Sequence, residues 1–136
     1  MTVHLSELGR TLKRAQYRHH LALDRALAGI GTTIVQWDTL RAISESPAAS
    51  AHQLALTAFQ SDQAFGALAN RLELRGYISR SPGIGRRIQH HLTPAGENLL
   101  ARGLALVDGI LAASFAPLNA DERETLYALL TRVGNE

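Results

Sequence analysis

The 136-residue chain has the length of a single domain, and its 46% of apolar residues exclude an intrinsically disordered protein. The absence of cysteine excludes a disulfide scaffold, a thiolate metal site and a thiol redox switch. A net charge of +2 excludes a histone-like polycation. No apolar run approaches the roughly 18 residues of a membrane span, and the N-terminus lacks the layout of a signal peptide. We therefore expect a soluble cytoplasmic protein.

The charge is distributed unevenly along the chain. Residues 60–93 carry five arginines against two acidic residues, whereas residues 94–136 carry three basic residues against six acidic ones. A basic middle followed by an acidic tail indicates that the middle meets an anion, for instance nucleic acid. Uneven solvation of helix surfaces explains the same pattern about equally well.

Three helices are predicted in the first part of the chain. Residues 5–29 form the first, because apolar residues recur there at spacings of three and four. This stripe consists of Leu5, Leu8, Leu12, Ala15, His19, Ala22 and Ala26, and Leu23, Leu27 and Ile30 extend it on a neighbouring face. A second helix should begin after the cap Thr33 and stop at the Ser46-Pro47 step. A short third helix over residues 50–57 should use Leu54 and Leu56 as its apolar anchors.

A fourth helix and a hairpin follow. The helix should start at the cap Ser61 and close at Gly76, with Phe65, Leu68 and Leu72 facing inward. Residues 77–80 are expected to form a short strand, and residues 81–85 have the composition of a turn. Residues 88–92 alternate apolar and polar side chains and predict the returning strand, which places arginines at the hairpin tip.

Two more helices complete the chain. Thr93 and Pro94 are typical of a helix start, and the helix should reach Phe115 or Leu118. Asn119 with Glu122 predicts a capping box for the last helix. The apolar faces of these two helices are Leu100, Leu104, Val107, Leu111 and Phe115, and Leu126, Leu129, Leu130 and Val133.

This order of elements predicts a mainly α fold with a small β-hairpin wing, a winged helix-turn-helix. The fourth helix would be the recognition helix and the hairpin the wing. The apolar stripes at the two chain ends are longer than so small a domain can cover. We therefore expect N- and C-terminal dimerisation helices in an intertwined homodimer.

The segment around the hairpin resembles the MarR family of transcriptional regulators. Residues 68–80 read Leu-Ala-Asn-Arg-Leu-Glu-Leu-Arg-Gly-Tyr-Ile-Ser-Arg, where that family typically reads Leu-Val-Asp-Arg-Leu-Glu-x-x-Gly-Leu-Val-x-Arg. Residues 92–96 resemble its Leu-Thr-x-x-Gly motif, and residues 53–55 resemble the start of its first helix-turn-helix helix. The order of the helices also matches, so the resemblance covers essentially the whole chain.

The resemblance implies one MarR-like domain, with the winged helix-turn-helix over about residues 33–93 and dimerisation helices over about 1–30 and 94–136. It implies a homodimer that binds double-stranded DNA at a pseudo-palindrome, with half-sites roughly 34–36 Å apart. It further implies a repressor that releases DNA when a small phenolic or anionic effector binds between the dimer helices and the winged helix.

The sequence departs from the family at the wing and in the recognition helix. Gly85-Arg86-Arg87 stands where the family often has Asp-Arg-Arg, so the aspartate that steadies the tip arginine is missing. An ungapped count places Arg86 at the arginine position that reaches DNA in the family, and a shift of one residue places Arg87 there. Gly66 and Ala67 replace the common Thr and Arg.

The candidate DNA-binding residues follow from this arrangement, because the N-terminal part of a recognition helix reaches base edges in the major groove. Gln63 could pair with adenine, Asp62 could accept from a cytosine amine, and Gly66 would let the backbone approach closely. Hairpin-tip arginines suit the narrow minor groove. The predicted set is Gln60, Ser61, Asp62, Gln63, Gly66 and Asn70 on the helix, with Arg75, Arg80, Arg86 and Arg87 for the wing and phosphates. A solvated helix face and a solubilising turn are the alternatives.

A candidate effector pocket and a structural ion pair complete the predicted sites. Tyr17, His19, His20 and Trp37 are predicted to line the pocket, and core packing is an equal alternative for His19 and Trp37. Arg71 is expected to form a structural ion pair, because it adjoins the inward-facing Leu72.

Metal, cofactor and enzyme functions find little support in the sequence. The histidines include two adjacent pairs, His19-His20 and His90-His91, whose side chains diverge on a helix or strand and cannot chelate one ion. Neither a phosphate-binding glycine loop nor a nucleophile elbow is present. We therefore expect no cofactor, no metal and no catalysis. The alternative function is a winged-helix module that binds protein rather than specific DNA.

Overall fold

The computed structural model describes residues 2–85 and 87–134. In chain order the elements are α1 (Leu5–Ala28), α2 (Ile34–Glu45), α3 (Ala51–Thr57), α4 (Asp62–Leu74), β1 (Ile78–Pro82), β2 (Ile88–Leu92), α5 (Pro94–Phe115) and α6 (Ala120–Arg132). The strands β1 and β2 pair antiparallel, with Ile78 opposite Leu92 and Pro82 opposite Ile88. The predicted mainly α fold with one hairpin is confirmed.

Side-chain caps place the starts of most helices where the sequence predicts them. In each case a hydroxyl or amide oxygen accepts a hydrogen bond from the backbone three residues later, which satisfies an otherwise unpaired N–H group. The capping residues are Thr33, Ser50, Ser61, Thr93 and Asn119. Ser50 with Gln53, and Asn119 with Glu122, form complete capping boxes.

The first core lies between α2, α3, α4 and the hairpin. Its largest fully buried side chains include Leu40, Leu54, Phe65, Leu72 and Ile78. The prediction that Leu56 anchors α3 is wrong, because this side chain is 63% exposed. The short helix packs through its neighbouring face, where Leu54 and Ala55 are buried.

The second core joins α1, α2 and α5. Leu23, Leu27, Trp37 and Val107 are buried together there. The Trp37 Nε1–H donates to the backbone carbonyl of Leu100 at 3.1 Å, so the indole ties α2 to α5. This core therefore connects the winged helix-turn-helix to the long helices α1 and α5.

The predicted α1 stripe is not the face that the single chain buries. Leu23 and Leu27 on the neighbouring face are buried, whereas Leu5, Leu8 and Leu12 are exposed. The reason is that the N-terminal half of α1 extends beyond the helices that cover its C-terminal half. In α6, none of the described residues is buried, and the exposed apolar side chains there include Tyr127, Leu129 and Leu130.

The helix α5 is long and apolar, although the charged residues Glu97, Arg102 and Asp108 interrupt its apolar runs. Among the described residues, Pro94–Phe115 is the one helix long and apolar enough to cross a membrane by length and composition alone. The core helix of a soluble protein meets the same criterion. Here α5 packs against α1, α2 and the strand β2.

Candidate nucleic-acid interface

The helix α4 has a buried face and an exposed polar face. Phe65, Leu68, Ala69 and Leu72 are buried against the first core. The predicted reading residues Ser61, Asp62, Gln63 and Asn70 are exposed, and Gly66 is half-buried. The spacings of three and four between Gln63, Gly66 and Asn70 place these residues along one outward stripe.

Two residues at the start of α4 already have partners. The Ser61 Oγ accepts from the backbone N–H of Ala64 at 3.1 Å, which leaves its hydroxyl hydrogen to donate outward. The Asp62 carboxylate lies 2.8 Å from Nδ1 of His52 on α3, and both side chains are exposed. This pair links the two helices of the helix-turn-helix, and it engages one of the two oxygens of the carboxylate that was predicted to accept from cytosine. His52 was not among the residues predicted from the sequence.

Gln63 and Gly66 remain open to a ligand. None of the described residues hydrogen-bonds to the Gln63 carboxamide, so its oxygen and NH₂ group are both available. A Cβ atom added to Gly66 would meet nothing within 4 Å. The glycine therefore leaves free space above the helix backbone rather than serving close packing inside the chain.

The turn between α3 and α4 contains an unusual residue. The helix α3 ends in a Schellman motif, in which Gln60 N–H donates to Ala55 O at 2.8 Å and Phe59 N–H donates to Leu56 O at 3.2 Å. Phe59 has φ +56° in this motif, and its side chain is 90% exposed. The corresponding position after α4 is Gly76, with φ +82°. An exposed aromatic residue thus occupies a left-handed position that favours glycine.

Arg80 on β1 reaches back to α4 and contacts two of its side chains. Its Nη2 donates to Oδ1 of Asn70 at 2.6 Å and to Oε1 of Glu73 at 2.9 Å. The hydrogen bond from Arg80 lowers the pKa of the Glu73 carboxyl below its usual value. The predicted ion pair of Arg71 is not observed with any described residue. The ion pair observed on this part of α4 joins Glu73 to Arg80 of the hairpin strand.

The wing tip is only partly described. The Gly83 N–H donates to the carbonyl of Arg87 at 2.7 Å, and Gly85 has φ +71°, which a glycine adopts without strain. Arg87 is exposed beside this turn. Arg86 lies outside the described residues. Arg75 is exposed at the C-terminal end of α4.

The base of the wing is fixed to α5 by the Leu-Thr-x-x-Gly segment. The Thr93 Oγ1–H donates to the carbonyl of Gly76 at 2.5 Å, and the Thr93 N–H donates to Tyr77 O at 3.1 Å. A Cβ on Gly96 would overlap the Tyr77 carbonyl. The contacts of this motif therefore require a hydroxyl group at position 93 and a residue without a side chain at position 96.

A cavity of about 380 Å³ lies between α1, α2 and the α3–α4 turn. Its lining residues include His19, His20, Asp38, Phe59 and Gln60. Two of the four predicted pocket residues, His19 and His20, therefore line it. Trp37 belongs to the second core, and Tyr17 is exposed outside the lining. Phe59 and Asp38 were not predicted as pocket residues, and Gln60 was predicted only to bind DNA, because the sequence does not show that the α3–α4 turn lies beside α1 and α2.

A second cavity, of about 550 Å³, lies between α1, α5 and α6. It is lined mainly by apolar side chains, among them Leu12, Phe115, Leu126 and Leu130. His19 borders this cavity too, where its Nδ1 lies 3.4 Å from Oγ of Ser114. The described residues include no group of three His, Asp or Glu side chains that could hold a metal ion.

Comparison with known proteins identifies the family. A profile described as MarR family matches residues 30–87. HTH-type transcriptional repressor Rv2887 of Mycobacterium tuberculosis is 30% identical over 113 residues, which are 82% of this chain and 81% of the relative. The chain belongs to the MarR family. The resemblance stated from residues 53–55, 68–80 and 92–96 is thereby confirmed.

Solved structures of MarR-family proteins and related regulators share the fold. A probable transcriptional regulator from Pseudomonas aeruginosa is 32% identical, with a TM-score of 0.83 over 93% of this chain and 96% of that one. Rv2887 in complex with DNA is 27% identical, with a TM-score of 0.77 over 98% of this chain and 100% of that one. Rv2887 in complex with salicylic acid is 28% identical, with a TM-score of 0.75 over 98% of both chains.

Proposed function

We propose that this MarR-family chain is a cytoplasmic, ligand-responsive transcriptional repressor that acts as a homodimer on a pseudo-palindromic operator. The observation that carries the proposal is the exposed polar stripe of α4 beside the wing, on a helix whose opposite face is fully packed. A helix presented in this way fits the major groove of B-DNA. The DNA complex of Rv2887, a relative of the same fold, supports the assignment.

In this proposal the residues have distinct roles. Gln63 reads a base edge with its free carboxamide, Ser61 donates to the DNA backbone, and Gly66 allows close approach of α4. Arg87 enters the minor groove from the wing, and Arg75 contacts a phosphate. Asp62 contributes by holding α3 against α4 through His52. The winged helix-turn-helix is assigned to about residues 33–93.

The dimer is assigned to the two ends of the chain, about residues 1–30 and 94–136. The exposed apolar side chains of α1 and α6, such as Leu8, Leu12 and Leu130, support this assignment. Burying apolar surface of this kind stabilises association by roughly 25 cal/mol per Å² before the entropic cost of binding. Two-fold symmetry would then set the two α4 helices about one DNA turn apart, roughly 34–36 Å.

The effector site is assigned to the 380 Å³ cavity beside the α3–α4 turn. Its histidines, His19 and His20, suit a phenolic or anionic ligand, while the carboxylate of Asp38 is held by Arg41 at 2.8 Å. The salicylic acid complex of Rv2887 supports this ligand class. A ligand there that prefers one arrangement of the turn shifts the dimer away from the DNA-binding state.

A salt titration of DNA binding tests the proposal. The protein is titrated with duplexes from its own upstream region, with solution mass measured in parallel. We expect a dimer that stays bound to a specific duplex in the presence of competitor DNA. The logarithm of the binding constant should fall with the logarithm of the salt concentration, with a slope of about −0.9 for each phosphate contact. Arg87→Ala should weaken binding and flatten that slope, whereas the control Arg102→Ala on α5 should not.

Two outcomes would contradict the proposal. A monomer, or a dimer that binds all duplexes weakly and alike, would favour a protein-interaction module. An unchanged affinity and salt slope for Arg87→Ala would remove the wing from the interface.

A further inference from the structure

We infer that Arg80 fixes the orientation of the Asn70 carboxamide, so that Asn70 directs its oxygen towards the wing and offers its NH₂ donors to DNA. The inference rests on the proposed function, and it concerns which chemical groups on DNA this position can recognise. It starts from the contact of 2.6 Å between Arg80 Nη2 and Asn70 Oδ1.

The orientation of the carboxamide follows from the chemistry of its neighbour. A guanidinium group carries only donors, so the amide atom that faces it has to be the oxygen. A charged donor makes this hydrogen bond stronger than a neutral one, which opposes rotation of the amide by 180°. Arg80 is in turn held by Glu73 at 2.9 Å, so its position does not depend on Asn70 alone.

The NH₂ group of Asn70 is left free in the described part of the chain. No described residue accepts a hydrogen bond from its Nδ2, and the side chain is exposed. Asn70 shares the outward stripe of α4 with Gln63 and Gly66. Donors presented there match acceptors on DNA, which are guanine O6 and N7, adenine N7, thymine O4 and phosphate oxygens, whereas cytosine offers only a donor in the major groove.

The same geometry disfavours the pairing that asparagine commonly makes with adenine. That pairing needs the amide oxygen and the NH₂ group side by side against one base. With its oxygen held towards Arg80, Asn70 presents mainly its NH₂ group to DNA. Arg80 is therefore a positioning residue for Asn70, and Gln63, which has no such partner, is the residue left to read adenine.

A selection experiment with base-level readout tests the inference. Wild-type protein, Asn70→Ala, Asn70→Asp, Arg80→Ala and Arg80→Lys are each incubated with a pool of random-sequence duplex DNA, and bound sequences are read. Affinities for the selected duplexes are then measured by fluorescence anisotropy. Gln63→Ala is the matched control, because it should change preference at a different operator position. Thermal unfolding checks that every variant folds.

Two results support the inference and separate its two possible acceptors. If Asn70 contacts a base, wild type disfavours C at one position per half-site, because cytosine presents no acceptor there. Asn70→Ala loses roughly 3- to 10-fold in affinity for the preferred bases, and Asn70→Asp shifts the preference to C or A. If it contacts a phosphate, Asn70→Ala weakens all sequences alike by a similar factor. In both cases Arg80→Ala reproduces most of the Asn70→Ala loss, and Arg80→Lys retains binding. A further variant that combines Asn70→Ala with Arg80→Ala loses little more than Asn70→Ala alone.

The inference is overturned if Asn70→Ala abolishes a preference for cytosine, because the major-groove edge of that base offers a donor and no acceptor. It is also overturned if Arg80→Ala leaves the base profile and affinity of wild type unchanged, or if the two losses simply add. Failure of the wild-type protein to enrich any sequence would instead contradict the proposed function, so the two failures are distinguishable.

Discussion

The imidazole of His90 on β2 packs edge-on against the ring of Phe65 on α4, with ring centroids 5.6 Å apart and planes inclined by 64°. His90 is buried, and no described residue hydrogen-bonds to its Nδ1. A titratable side chain thus lies between the wing and the proposed recognition helix. Its protonation should affect how the two elements hold together.

Acid is expected to destabilise the protein through His90. Burial, followed by the positive charge of Arg80, lowers the pKa of His90 below its usual value of 6.5. Above pH 6.5 the side chain is neutral in both states, so this contribution to stability is fully present. As the pH falls below 6.5, only the unfolded chain takes up the proton, and stability is lost until the folded pKa is reached.

Denaturant unfolding between pH 5 and 7 measures this effect. The free energy of unfolding should fall by at most about 1.4 kcal/mol per pH unit, the limit for one proton. His90→Phe, which keeps the ring contact with Phe65, should flatten the dependence. His91→Gln on the exposed side of the same strand is the control and should leave the pH dependence of the free energy of unfolding unchanged. Glu73, whose pKa is also lowered, acts below this range. An unaltered slope in His90→Phe would refute the assignment.

Gly66→Ala should separate stability from DNA binding. The added Cβ lies in open space, and alanine favours a helix interior over glycine by about 1 kcal/mol, so thermal stability should rise. DNA affinity should fall at least about 5-fold, because the methyl group occupies the space proposed for the duplex. Undiminished DNA affinity in Gly66→Ala would exclude close approach of the backbone.

Gly103→Ala should destabilise the junction between the winged helix and α5. A Cβ at Gly103 would overlap the indole Nε1 of Trp37, whose ring cannot move without losing its hydrogen bond to Leu100. We expect a loss of about 1–3 kcal/mol in the free energy of unfolding, as is typical of overpacking. Gly109→Ala on the same helix meets nothing within 4 Å and should be neutral or stabilising. Equal effects of the two substitutions would contradict the packing described here.

Phe59→Gly should relieve backbone strain and weaken effector binding. A bulky residue at positive φ costs about 1–3 kcal/mol, and the greater chain entropy of glycine offsets about 0.5–1 kcal/mol of the relief. The free energy of unfolding should therefore stay equal or rise by up to about 2.5 kcal/mol. Calorimetric titration with salicylate should show affinity reduced roughly 2- to 10-fold through loss of the aromatic contact. The control Leu56→Ala, an exposed apolar residue on α3, should bind salicylate as wild type does. Wild-type salicylate affinity in Phe59→Gly would remove this ring from the site.

The sequence was sufficient for the order and the starts of the elements, because these depend on local interactions. Thr33, Ser61 and Thr93 cap helices through backbone groups three residues away. The positive φ of Gly76 likewise needs only a residue without a side chain. The motifs around the hairpin also identified the family. The contacts of Thr93 and Gly96 at the base of the wing allow few other residue types, because they need a hydroxyl group and the absence of a side chain.

Which faces are buried was decided only by the tertiary structure. Leu56 and the N-terminal leucines of α1 satisfy a helical pattern, yet the chain leaves them exposed. Periodicity identifies an apolar face but not the partner that covers it, and residues on adjacent faces compete for a limited contact area. Trp37 likewise belongs to the core because Gly103, which is 66 positions away in the chain, leaves room for its ring.

The side-chain partnerships of the proposed interface also required the fold. Arg80 hydrogen-bonds to Asn70 and Glu73, and His52 contacts Asp62. The partners in each pair are seven to ten residues apart in the chain. A sequence shows that these groups can donate or accept, which is a property of residue type. Only the three-dimensional arrangement decides which donor comes within hydrogen-bond distance of which acceptor, and hence which polar groups remain free for DNA.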